Sequence, residues 1–220
     1  MMIGGKKIKL SAKLGINIRR CSMYSQHNEE EIILNYFGDK KDGRFLDVGA
    51  YNGVIFSNTR RLYELGWGGV CVEASPKVFV GLQEAYPDEP RVELVCAAVS
   101  GQNGCARFYD NQGAVASLSK EHMEKWNKPQ VFTPINVATI TPDKLITALP
   151  GPYDFMSYDI EGVTIAVLGL FPPFKKLGLK LICIEAENQG EKDEVKRVME
   201  PQGYTLLAST VLNVFYEVGK

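Results

Sequence analysis

The sequence predicts an α/β domain: a mostly parallel sheet with helices on both faces, finished by a C-terminal hairpin. Three observations carry this. Short apolar runs alternate with helical stretches through most of the chain, the pattern of a parallel sheet wrapped by crossover helices. The run Arg44-Phe45-Leu46 leads into Asp47-Val48-Gly49-Ala50-Tyr51-Asn52-Gly53 and then into a helical stretch. That strand, glycine turn and helix is how an open α/β sheet receives a nucleotide-like cofactor. Finally, the apolar runs 203–208 and 211–218 stand too close for a crossover helix, so one of them runs antiparallel.

The elements follow in order. Ser25 to Glu31 opens a helix, where a serine or asparagine cap and first-turn acids satisfy free amides and the helix dipole. Ile32, Ile33, Tyr36 and Phe37 give it an apolar face. Strand one covers 45–48 and a helix covers 54–66. Strand two covers 70–73, followed by a helix over 76–86 with Pro76 in its first turn, where proline is favoured. Strand three covers 92–97, and a further extended piece, 106–109, pairs nearby. The stretch 111–130 has little strand character; it holds His122 and Trp126 and reads as a lid over a substrate, with Tyr109 and Trp126 placed to line the pocket. Residues 131–140 are extended and 142–148 form a short helix. Strand four covers 153–158 and ends at Asp159-Ile160-Glu161-Gly162; a helix runs on to about 169. Strand five covers 181–185, a helix covers 190–200, and the hairpin closes the sheet. This is the layout of Rossmann-like methyltransferases.

Composition narrows the function. At 220 residues and 45% hydrophobic content the chain supports one such domain with a proper core. We place that domain at 25–220, preceded by a basic arm, 1–24. The net charge of −1 gives no overall basic field, so no nucleic-acid partner is expected. No apolar run approaches a membrane span, and the start lacks a secretory core. The five cysteines, Cys21, Cys71, Cys96, Cys105 and Cys183, show no metal-ligand spacing. Cys71, Cys96 and Cys183 fall in apolar strand runs and read as reduced core residues, which points to the cytoplasm.

The glycine turn selects the cofactor. Gly49 and Gly53 are separated by three residues, and no third glycine completes the dinucleotide fingerprint. A pyrophosphate needs close backbone approach at a free helix start. S-adenosyl-L-methionine carries no phosphate, and a wider loop bearing Asp47 suits its ammonium end. Ala50 and Asn52 belong to the same loop. Glu73, 26 positions after Asp47, closes strand two where an acid can accept from both ribose hydroxyls. Ala74 follows it, and Ala97 and Ala98 are small enough to flank a flat adenine. Ser57 and Asn58, one turn into the helix after strand one, suit the methionine carboxylate. Asp159 ends strand four beside the methyl group, as a base or a metal ligand. Glu185 ends the neighbouring strand, with Glu187 and Asn188 as further oxygen donors. A divalent metal is possible but not favoured, because two protein carboxylates alone make a weak site. His122 is a second candidate base. Glu161 reads as a cap on the following helix.

These segments together resemble the FkbM-type family of S-adenosylmethionine-dependent methyltransferases. The similarity lies in Ser25-Gln26 with Glu29 to Glu31, Asp47-Val48-Gly49-Ala50 with Gly53, and Ser57-Asn58-Thr59. It continues in Gly66-Trp67-Gly68-Gly69 before Glu73, Ala97-Ala98-Val99-Ser100 and Asp159-Ile160-Glu161-Gly162, spanning about residues 24–216. The resemblance implies a seven-stranded sheet, adds Gln26 to the cofactor contacts, and implies a hydroxyl acceptor on a sugar or secondary-metabolite-like small molecule. The family often has an acid two residues after the glycine of Asp-x-Glu-Gly; here that position is Thr164. Two other readings compete: a nicotinamide-dependent oxidoreductase, which the glycine spacing disfavours, and a non-catalytic protein that kept the fold.

Overall fold

The computed structural model describes residues 23–87, 90–126 and 130–219. Nearly all of the basic arm expected at 1–24, with Cys21, lies outside the described residues. Strands β1 (Arg44–Val48), β2 (Gly68–Glu73), β3 (Val92–Cys96), β7 (Phe155–Tyr158), β8 (Leu181–Glu185), β9 (Tyr204–Ser209) and β10 (Asn213–Val218) form one sheet. Its order is β3-β2-β1-β7-β8-β10-β9. The pairs β1 to β2, β2 to β3, β1 to β7 and β7 to β8 are parallel, and β10 runs antiparallel to both β8 and β9. The predicted α/β sheet with its closing hairpin is therefore present. Chain order moves outward from β1 on one side and resumes at β7 on the other. That reversal is a topological switch point, where open α/β sheets take ligands at the carboxyl ends of the strands.

Alternation along the strands makes two cores. Leu46, Val48, Val70, Val72, Met156, Tyr158, Ile182 and Ile184 belong to one, with residues of helices α5 (Pro142–Ala148), α6 (Thr164–Leu168) and α7 (Gln189–Met199). Phe45, Cys71, Phe155, Leu181, Cys183 and Phe215 belong to the other, with residues of α1 (Glu29–Phe37), α2 (Arg60–Glu64) and α3 (Pro76–Ala85). Trp67, fully buried in the second core, donates from its indole nitrogen to the Lys40 carbonyl at 2.7 Å.

Three expectations need correction. The helix after β1 is only Arg60–Glu64, not 54–66. Asn52 Oδ1 accepts from the amides of Val54 and Ile55, and Phe56 adopts φ 60°, so the chain turns before it can wind. Ser57 and Asn58 therefore precede the helix; Ser57 Oγ accepts from Arg60 N at 3.0 Å. The extended piece near 106–109 joins no main-sheet strand: β5 (Gly104–Asp110) pairs with β6 (Thr133–Ile140), and β6 with β4 (Ala98–Val99), in a separate three-stranded sheet. Cys96 is exposed rather than core, whereas Cys71 and Cys183 are buried free thiols. Cys96 is the last residue of β3, an edge strand of the main sheet in which only Val92 is buried.

Candidate active site

Parallel strands deliver their carboxyl ends to one edge, and a cleft of about 310 Å³ opens there. Asp47 and Gly49 come from β1, Glu73 from β2, Asp159 from β7 and Glu185 from β8, and all five line it.

Gly49 makes this possible. Its φ is +88°, and a Cβ there would lie 1.6 Å from the Asp159 carbonyl oxygen. The Gly49 amide donates to Val72 O at 2.9 Å and the Asp159 amide to Val48 O at 2.9 Å. Three strand ends are thus stitched together where only a hydrogen fits.

Glu73 is buried, and its carboxylate accepts from Tyr51 N at 3.0 Å and Ser75 N at 2.7 Å. Burial pushes its pKa up to about 7 against the pull of those amides. Asp47 is also buried; Thr59 Oγ1 donates to Asp47 Oδ2 at 2.5 Å. Desolvation raises Asp47 to about 6, with the Thr59 bond opposing. Asn58 Nδ2 donates to Ser157 Oγ at 3.1 Å, so the turn before α2 is tied across the sheet to β7.

At the other end Asp159, Glu161 and Glu185 gather, one carboxylate oxygen of each within 4.8 Å of the other two. All three carboxyls are raised by burial first. The neighbouring charges, Glu161 on Asp159, Glu185 on Glu161 and Asp159 on Glu185, push the same way. Thr164 Oγ1 donates to Glu185 Oε2 at 3.1 Å, and His122 Nε2 lies 3.1 Å from Glu161 Oε2.

The roof is the stretch between β5 and β6. Gly113, Ala114, Val115, Ala116, Leu118 and Trp126 line the cleft. Helix α4 (Lys120–Trp126) docks on the turn after β7. Ser117 Oγ donates to Glu161 O at 2.5 Å, Lys125 pairs with Glu187 at 2.5 Å, and Gly162 leaves room for the His122 ring.

Of the residues singled out from sequence, Gln26, Ala50, Ser57, Asn58, Ala74, Ala97 and Ala98 also line the cleft. Three do not. Asn52 spends its side chain on the amides of Val54 and Ile55. Gly53, at φ +72°, packs near Leu82 and Tyr86. His122 is buried against Glu161, which stands between it and the cleft lining. Tyr109 pairs its backbone with Ser117 and is not among the lining residues.

Sequence reasoning missed Glu29 and underrated Glu161. Glu29 is buried, lines the cleft, and accepts from Asn213 Nδ2 at 3.2 Å and His27 N at 2.7 Å. First-turn acids read as dipole partners, which hid it. Glu161 takes φ 45°, rare for a residue with a Cβ. Tyr51 and Phe56, at φ 50° and 60°, line the same cleft. Strained backbone gathers at functional sites.

Comparison with known proteins agrees with this architecture. A search of curated proteins finds no match. Among solved structures, the precorrin-6y C5,15-methyltransferase of Geobacter metallireducens GS-15 superposes with a TM-score of 0.50 at 11% identity, covering 94% of this chain and 97% of that one. The ribosomal protein L11 methylase of Lactobacillus delbrueckii subsp. bulgaricus gives 0.50 at 9% identity, with 87% and 78% covered. A methyltransferase FkbM of Methylobacillus flagellatus KT gives 0.50 at 12% identity, covering 80% of this chain and 44% of that chain. At such identities these likenesses speak for the Rossmann-like methyltransferase fold alone. The family model of the methyltransferase FkbM domain matches residues 47–206, from the acid of the glycine turn to the closing hairpin, and the chain belongs to that family.

Proposed function

We propose that the protein transfers a methyl group from S-adenosyl-L-methionine to a hydroxyl oxygen of a small molecule, of the sugar or secondary-metabolite kind. The observation that carries this is the convergence of Glu73, Gly49 and Asp159 on one cleft at the switch point of the sheet. The cleft suits this cofactor on its own residues. Glu73 can accept from two ribose hydroxyls, Ala97 and Ala98 leave a flat surface for adenine, and Gln26, Glu29 and Asn58 offer polar groups to the amino-acid end. When bound, the cofactor supplies a methyl on a sulfonium.

The chain's part is mainly alignment. Methyl transfer is an in-line displacement, so holding acceptor oxygen, carbon and sulfur in one line supplies much of the rate. The oxygen bonds to the methyl carbon, the carbon–sulfur bond breaks with its electron pair on sulfur, and the acceptor's proton leaves. Asp159 lines the cleft on the far side of the switch point from Glu73 and is the residue assigned to hold that oxygen in this reading. Glu29, Asp47, Glu73, Asp159, Glu161, Glu185 and Glu187 line the cleft, and no Lys, Arg or His does so among the described residues. Such a field disfavours phosphate-rich acceptors, which speaks for a small molecule over nucleic acid. The FkbM family match speaks against the nicotinamide alternative.

Calorimetry with S-adenosyl-L-homocysteine and, separately, NAD tests the reading. One site for the former and no heat with the latter is expected. Binding of NAD alone would overturn it.

A further inference from the structure

We propose that Asp159, Glu161 and Glu185 form a binding site for one divalent cation at the acceptor end of the cleft. The inference deepens the methyltransferase reading and rests on it for the cation's task. It also reverses the metal-free preference drawn from sequence, because the sequence offered two strand-end acids and the structure brings a third. Glu161 reaches the pair from the turn after β7, at φ 45°, a conformation unfavourable for a residue with a Cβ.

The spacing fits a metal. One oxygen of each acid lies within 4.8 Å of the other two. Oxygens about 2.0–2.6 Å from a shared ion lie within about twice that distance of each other. Two of the acids are also braced from outside the cluster. Thr164 Oγ1 donates to Glu185 Oε2, and His122 Nε2 sits 3.1 Å from Glu161 Oε2. Glu185 therefore has one oxygen tethered and one left over, and the His122 ring stands at ion-pair distance from Glu161. Outer partners of this kind orient metal ligands. Thr164 occupies the position where the resemblance led us to look for another acid, and its hydroxyl serves the cluster as a brace.

Asp159 supplies the independent sign. Its Oδ1 is enclosed, away from solvent, and has no hydrogen-bond partner among the described residues. An enclosed carboxylate oxygen with nothing to bind is costly, and buried charges are paired or coordinate metals. Among the described residues no Lys, Arg or His lines the cleft, and the nearby Lys125 ammonium pairs with Glu187. An all-oxygen ligand set selects a hard ion, magnesium or manganese.

The cation would act on the acceptor. A hydroxyl oxygen drawn to it becomes more acidic and is held beside the methyl group. Its proton passes to solvent water, the oxygen bonds to the methyl carbon, and the carbon–sulfur pair stays on sulfur. A second oxygen next to the hydroxyl would strengthen the grip, so the favoured acceptors are vicinal diols and hydroxy-carbonyl compounds.

Manganese is the probe. Titration of the full chain with Mn²⁺, followed by the electron paramagnetic resonance of the free ion, should count one site per chain, displaced by Mg²⁺. Asp159→Asn and Glu185→Gln should each weaken it by about tenfold or more. Should a variant fail to fold, thermal melting of the wild-type chain answers alone: Mn²⁺ should raise its Tm and a chelator should reverse the gain. No Mn²⁺ bound at millimolar concentration, or equal affinity in the variants, overturns the proposal. So does full methyl transfer in excess chelator to an amine-bearing acceptor, which would show that the acceptor brings the positive charge. S-adenosyl-L-homocysteine binding, measured in chelator, separates the two readings: retained binding with no Mn²⁺ site sinks only the cation, and lost binding sinks the cofactor assignment.

Discussion

At Gly49 a single methyl group decides whether the site exists. A Cβ would lie 1.6 Å from the Asp159 carbonyl oxygen in a backbone already at φ +88°. Gly49→Ala must push β1 and β7 apart. It should cost at least about 2 kcal/mol from overpacking and the left-handed backbone together, read as a lower Tm, with cofactor binding lost. A variant that melts and binds like wild type would refute the close approach. Glu73 is the second residue on which the account turns. Glu73→Gln keeps its shape and removes the charge that would receive the ribose hydroxyls. Hydrogen bonds to charged groups contribute about 1.5–3 kcal/mol, so affinity for S-adenosyl-L-homocysteine should fall about tenfold or more with the fold intact. The carboxyl is raised to about 7, and hydroxyl donors favour its ionised form. Affinity should therefore climb as pH rises through about 7, and calorimetry across pH 6–8 would show it; a flat profile would remove Glu73 from the ribose.

At the scale of elements, the chemistry sits on strand ends and its supports sit in loops. Asp159 ends β7, beyond the strand that carries Glu73 and on the other side of the switch point. Asp159→Asn should lower kcat by about a hundredfold or more while cofactor affinity moves little. Near-normal turnover on the true acceptor would contradict this. The strands and their end residues were legible in the sequence, because period-two burial and acids after apolar runs follow from local pattern. The turn after β1 was not. Asn52 and Phe56 end any helix there through an Asx bond and a positive φ, features that composition does not print. The small sheet of β4, β5 and β6 was also hidden, since it depends on which distant strand takes Ala98–Val99. Glu161 looked like a cap because its partner His122 lies on α4, far along the chain.

For the whole molecule, the burial of a group of acids at one edge of the sheet sets how stability responds to pH. Asp47 and Glu73 are raised to about 6 and 7, and Asp159, Glu161 and Glu185 are raised with them, by burial first in every case. The folded chain then holds more protons than the unfolded one between about pH 4 and 7. That contribution is complete below the unfolded values near 4 and is lost as pH rises through the folded ones. The ligand-free protein should melt highest near pH 5 and lose Tm toward pH 8, by scanning calorimetry in chelator. A Tm that rises over that interval would contradict the burial of these groups. Adding S-adenosyl-L-homocysteine or Mn²⁺ at pH 8 should recover the loss, since each favours the ionised acids.

The central claim is that one cleft at the switch point holds the cofactor with its ribose on Glu73 and its sulfur toward Asp159. A crystal structure with S-adenosyl-L-homocysteine tests it most directly. The account predicts both ribose hydroxyls within hydrogen-bond distance of the Glu73 carboxylate, the adenine against Ala97 and Ala98, and the sulfur facing the Asp159, Glu161 and Glu185 cluster. A ligand bound elsewhere, or with its ribose away from Glu73, would contradict it.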